Sequence, residues 1–123
     1  MSMNINETRK YYESMTAQDM CQCGNCQNFY RRISETYPEV AAFLSDLGVD
    51  IEKPHEAWAI EIENDKLMYP DVQYVVMGSK SDFKETEISG VKIYLADSYP
   101  PTDVDEEHFV IESGPYYLKN KAR

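Results

Sequence analysis

Three cysteines within six residues, Cys21-Gln22-Cys23-Gly24-Asn25-Cys26, are the part of this chain whose residue types and spacing could do chemistry. A C-x-x-C pair with Gly and Asn between its sulfurs folds tightly enough to aim both thiolates at one centre about 2.3 Å from each, as tetrahedral zinc requires. Cys21 offers a third ligand. No second cysteine pair follows, so a fourth ligand must be a histidine, a carboxylate or water. Of the two histidines, His108 stands where an acidic run enters an apolar stretch, and a carboxylate beside it would fix its tautomer. The expected centre is therefore a structural zinc held by Cys21, Cys23, Cys26 and His108, pinning an N-terminal helical part to a sheet. The same residues allow a thiol redox enzyme built on Cys23 and Cys26 at a helix start, although such couples follow a strand inside a βαβ unit and this one follows a polar helical segment. They also allow three inert, partly buried thiols in a docking loop.

Elsewhere the chemistry thins. His55-Glu56-Ala57-Trp58-Ala59 begins like the helical zinc-protease motif, but Ala59 stands where its second histidine belongs, so His55 reads as a loop residue. The run Asp103-Val104-Asp105-Glu106-Glu107-His108 offers hard oxygen ligands and lacks the turn glycine of a calcium loop, which makes it a solvated loop. Glu61 and Glu63 share a strand face, as an acid/base pair would, and their alternation with Trp58, Ile60 and Ile62 assigns that face to solvent. No phosphate-binding glycine loop, nucleophile elbow or Walker pair is present. No catalytic constellation emerges, and the chain reads as non-enzymatic.

Apolar periodicity supplies the elements that must position the cysteines. A helix is expected from about Asn6 to Met15. Phe29, Ile33, Tyr37, Val40, Phe43, Leu44 and Leu47 recur at spacings of mostly three and four, and Pro38 divides that stripe into helices of about Asn28–Glu35 and Pro38–Leu47, stopped by Gly48. From Trp58 the period changes to two. Strands are expected at Trp58–Ile62, before a turn at Asn64 and Asp65, at Gln73–Met77, through Ile88 and Val91–Leu95, at Phe109–Ile111 and at Tyr116–Leu118. With no helix-length crossover among them they should pair antiparallel. The fold class is then α+β: N-terminal helices packed on a mainly antiparallel β-sheet of five or six strands, in a single domain 1–123 that is helical over 1–48 and strand-rich over 49–123.

Composition sets the outer limits. The 123 residues carry a net charge of −10, which repels phosphate backbones and anionic bilayers and excludes nucleic acid and membrane as partners. The charge is uneven, −2 over residues 1–47 and −8 over 48–123, and Asp97–Glu112 holds six acidic residues and no Lys or Arg, while Lys119, Lys121 and Arg123 make the extreme C-terminus basic. A metal-free alternative is thus an acidic interaction module whose partner is a basic protein surface, as for immunity proteins against secreted nucleases. A polar start, no apolar run of membrane-spanning length and an odd cysteine count predict a cytoplasmic protein with reduced thiols.

The combination of Cys21-x-Cys-x-x-Cys-x-Asn-Phe-Tyr30 with Tyr37-Pro38-Glu39, Leu47-Gly48-Val49-Asp50, Gln73-Tyr74-Val75 and Glu107-His108-Phe109-Val110 resembles a group of small bacterial conserved hypothetical proteins over nearly the whole chain. The resemblance implies a single bacterial cytoplasmic domain. No activity is attached to that group, so it assigns no role to any residue here.

Overall fold

Asn4 begins the first helix by accepting the Glu7 N–H on its side chain at 3.1 Å, which caps α1 (Ile5–Ser14). The computed structural model that shows this describes residues 4–63 and 65–119. Asn64 of the expected turn and Lys121 and Arg123 of the basic terminus lie outside that range. After α1 come a short 3₁₀ turn (Ala17–Asp19), α2 (Gly24–Thr36) and α3 (Pro38–Asp46), the last two broken at Tyr37 because Pro38 can open a helix but not continue one. α2 starts four residues earlier than periodicity suggests. Cys23 caps it, so Cys26 lies in its first turn instead of in a preceding loop.

Among the described residues seven strands follow: β1 (Ile60–Ile62), β2 (Lys66–Tyr69), β3 (Val72–Met77), β4 (Thr86–Ile88), β5 (Val91–Leu95), β6 (His108–Gly114) and β7 (Tyr116–Lys119). All five ladders among the described residues are antiparallel, so the α+β expectation holds. A single sheet of five or six strands does not. The strands form a three-stranded sheet, β1-β2-β7, and a four-stranded one, β3-β6-β5-β4. Two prolines at matching heights explain the division. β2 pairs with β7 up to Tyr69↔Tyr116, and β3 pairs with β6 from Val72↔Ser113. Pro70 on one chain and the cis-linked Pro115 on the other fall in the gap, where neither has an N–H to continue the ladder. One long antiparallel ladder, β2 and β3 against β6 and β7, is thereby bent into two sheets. The bend is tight: a Cβ on Gly114 would run into the Pro70 carbonyl.

The helices close over this frame through aromatic side chains. Phe29 of α2 is fully buried, with ring centroids 5.1 Å from Tyr69 and 5.9 Å from Tyr116. Asn28 donates to the Lys119 carbonyl at 2.8 Å, which fixes the other side of α2 to β7. α1 is held on the larger sheet, where the Tyr12 hydroxyl donates to Val75 O at 2.7 Å and Thr8 Oγ1 accepts the Met77 N–H at 2.9 Å. Gly48 allows the chain leaving α3 to pass against α1, since its φ is +89° and a Cβ there would meet Ile5 O at 2.6 Å. β3 is buried at every position, as a strand covered on both faces must be.

The first strand corrects the sequence reading in a second way. Trp58 and Ile60 were expected to face the core, yet they are 48% and 41% exposed, while Ala57 and Ala59 pack against the core. Over residues 57–60 the alternation is real and its sides are reversed, while Glu61 and Glu63 are exposed as expected.

Candidate metal centre

Helix α2 organises the cysteines because its first turn leaves backbone N–H groups without helical partners. The Cys23 sulfur takes one of them, accepting the Cys26 N–H at 3.4 Å as the cap of the helix. Two residues earlier, the Cys21 sulfur accepts the Cys23 N–H at 3.5 Å. A C-x-C-x-x-C spacing wound around a helix start therefore brings all three sulfurs to one place. They lie within 4.8 Å of one another, compatible with a single metal ion between them.

The three thiols differ in surroundings. Cys21 and Cys23 are exposed and Cys26 is buried. The N–H donated by Cys26 holds the Cys23 thiol below its ordinary pKa, since that hydrogen bond favours the thiolate. Burial pushes the Cys26 thiol far upward, and the neighbouring Cys21 and Cys23 sulfurs add to it. A metal ion binding the sulfurs would displace the thiol protons.

Two tyrosines frame the cluster. The Tyr30 hydroxyl donates to the Cys21 carbonyl at 3.0 Å, tying the segment before α2 to the helix one turn on. Burial raises its pKa, as do the adjacent Cys26 and Cys21 sulfurs, so the phenol stays protonated and remains a donor. The Tyr69 hydroxyl donates to the Asn25 carbonyl at 2.5 Å, so the thiol turn is fastened directly to β2. Tyr30 entered the sequence reading only as the end of the Cys21–Tyr30 motif, with no role, and Tyr69 was not singled out. The signal of Tyr69 was present only as aromatic content, because a contact across 44 residues carries no local pattern.

His108 is not part of the group of thiols. It opens β6, paired with Met77, and both ring nitrogens are engaged at 2.8 Å, Nε2 with Thr102 Oγ1 and Nδ1 with the Glu106 carbonyl. A carbonyl only accepts, so Nδ1 carries the proton and Nε2 receives the threonine hydroxyl in the neutral ring. His55 is likewise used locally, its Nε2 lying 2.9 Å from the Pro100 carbonyl. Among the described residues the cysteines are the one cluster of potential metal ligands. The acidic run remains open to solvent: Asp103, Asp105, Glu106 and Glu107 are exposed, and none takes part in an ion pair among the described residues. Asp103 and Glu106 line one side of a cavity of about 530 Å³ that Tyr11, Asp19 and His55 close from the other.

No helix of the described residues is long and apolar enough to cross a membrane. No protein-family model, curated protein or solved structure matches this chain.

Proposed function

We propose that the domain binds a zinc ion through Cys21, Cys23 and Cys26, with solvent in the fourth position. The convergence of three sulfurs within 4.8 Å at the start of α2 carries this reading. An all-thiolate set favours zinc over hard cations such as magnesium or calcium. The ion would cross-link the segment before α2 to the turn that Tyr69 and Asn28 anchor on β2 and β7, which is the pinning role expected of a structural site. Two exposed sulfurs leave one side of the ion accessible to solvent. The placement of the cysteines weighs against the thiol redox reading, since α1 and a 3₁₀ turn precede α2 where a thioredoxin-type couple has a strand.

Elemental analysis of the purified protein tests the proposal. One zinc per chain is expected, with affinity falling by about two orders of magnitude in Cys26→Ser, whose loss removes the ligand held inside the helix. Metal-free protein with three freely titrating thiols after zinc is supplied would refute it.

A second reading rests on the exposed, unpaired carboxylates of Asp103–Glu107: this loop receives a basic protein surface, independently of the metal. Association should slow steeply between low and physiological salt. Retention of full affinity after Asp105→Asn and Glu106→Gln would dismiss it.

A further inference from the structure

The reversed alternation of β1 leaves the outer face of the three-stranded sheet with apolar side chains facing solvent. Trp58, Ile60 and Tyr117 are three of the five large hydrophobic side chains exposed among the described residues. Register gathers them. Ile60 is paired with Met68 and Met68 with Tyr117, so these three form one row across the sheet, with Trp58 two residues up the chain from Ile60. Strands that turn apolar side chains outward while alanines face the core are spending surface on something other than folding.

The adjoining row holds a second anomaly. Lys66 lies directly opposite Lys119, both exposed, between the outward Ile62 and solvent. Like charges paired across strands destabilise a sheet. Neither lysine has an ion-pair partner among the described residues, and none of the paired positions of this face, Ile60, Ile62, Lys66, Met68, Tyr117 and Lys119, is acidic in a chain whose net charge is −10. Adjacent strands are about 4.8 Å apart, so one carboxylate seated between the two ammonium groups would satisfy both.

We infer that this face docks a protein segment carrying a carboxylate close to apolar side chains. Charge complementarity selects that occupant. A second copy would oppose two lysine pairs and two chains of charge −10, and an anionic bilayer would meet the same net charge. Spacing specifies the segment further. Lys66 and Met68 are two residues apart on β2, roughly 7 Å along the strand, so an extended ligand should place its acidic residue two positions from an aromatic or aliphatic one.

Panning a display library of random twelve-residue peptides against the intact protein tests this, with the Trp58→Ala variant as counter-selection. The expected outcome is enrichment of acidic-x-apolar sequences. A synthetic peptide of the enriched sequence should shift the emission of Trp58, the one tryptophan, to the blue in a saturable way. Its affinity should drop about tenfold in the doubly reversed K66E/K119E variant, whose substitutions are on the surface and leave the fold intact. Enrichment that is absent, that lacks carboxylates or that survives K66E/K119E overturns the inference. A blue shift produced by concentrating the protein alone assigns the face to a second copy, and one produced only by phosphatidylglycerol vesicles assigns it to a membrane. Either result also overturns it.

Discussion

The cysteine turn and the acidic loop are the two regions whose residue types promised chemistry, and they are built on opposite plans. In the first, Phe29, Asn28 and Tyr69 hold a helix start firmly on the small sheet, and the Cys21 and Cys23 sulfurs each accept one weak backbone N–H bond and otherwise face one another and Cys26. In the second, every nitrogen of His108 has a partner from its own loop, Thr102 and Glu106, while the carboxylates around it point to water. Chemistry needs groups held rigidly and left unsatisfied. The cysteine turn meets both conditions, whereas the histidine of the acidic loop is held but fully satisfied.

Removing what holds the cysteine turn should have the largest effect. Phe29→Ala empties a fully buried site between Tyr69 and Tyr116 and should cost about 4 kcal/mol of stability in denaturant unfolding. Before global unfolding, α2 should loosen from β7, and alkylation of the buried Cys26 should accelerate more than that of exposed Cys21. Equal acceleration at all three thiols would show that the turn is not positioned by the core.

Alkaline titration separates the frame from both regions. Burial raises the pKa values of the Tyr12 and Tyr74 phenols well above 10, and each donates its proton to a backbone carbonyl, of Val75 and Ile51. A group whose pKa is raised by folding contributes stability that is complete below its unfolded value and is lost as pH climbs toward the folded one. The melting temperature should therefore stay level up to about pH 10 and then fall. Tyr12→Phe should flatten that decline. An unchanged decline in Tyr12→Phe and in Tyr74→Phe would place the sensitive group elsewhere.

Cutting a single tether is a smaller perturbation. Tyr69→Phe removes the hydroxyl bond to Asn25 and keeps the ring against Phe29, so about 1 kcal/mol or less of stability should go. If the bond serves the thiol turn, zinc affinity should fall several-fold although no ligand has been touched. Unaltered affinity would make Tyr69 a core residue and nothing more.

These two regions also mark where sequence patterns stop. The α1 and α3 boundaries, the antiparallel pairing and the cysteine cluster were legible because they depend on neighbours a few residues away: caps, periodicity, and a spacing that winds around one helix start. The division into two sheets was not, since it arises from Pro70 and Pro115 falling at the same height on strands 45 residues apart. β2 was missed because Lys66, Leu67, Met68 and Tyr69 alternate over only four positions. The side of β1 was inverted because alternation gives a period and no direction, and hydrophobicity assigned the direction to Trp58 and Ile60 when the smaller Ala57 and Ala59 take the core. His108 failed for a related reason. Its proximity to the cysteines was a question of tertiary structure, whereas its bonds to Thr102 and Glu106 are local and were open to the same reading as an N-cap.

His108→Ala should produce the smallest change at the metal centre and bears most directly on the contrast between the regions. The ring receives the Thr102 hydroxyl, which itself accepts the Val104 N–H at 3.3 Å, and gives its Nδ1 proton to Glu106. To bind a metal through Nε2 the ring would have to surrender the threonine, and Thr102 would keep only its bond to Val104. Deleting the ring should thus cost about 1 kcal/mol, with exchange rising first at the amides of 102–106, and should leave zinc stoichiometry and affinity as they were. Thr102→Val removes the hydroxyl and frees Nε2 with the ring in place. If that variant bound zinc more tightly than the wild type, and His108→Ala more weakly, the loop would reach the cysteines in solution and the two plans would be one site. Equal affinity in all three proteins fits a histidine whose hydrogen bonds fasten the acidic loop to the end of β6.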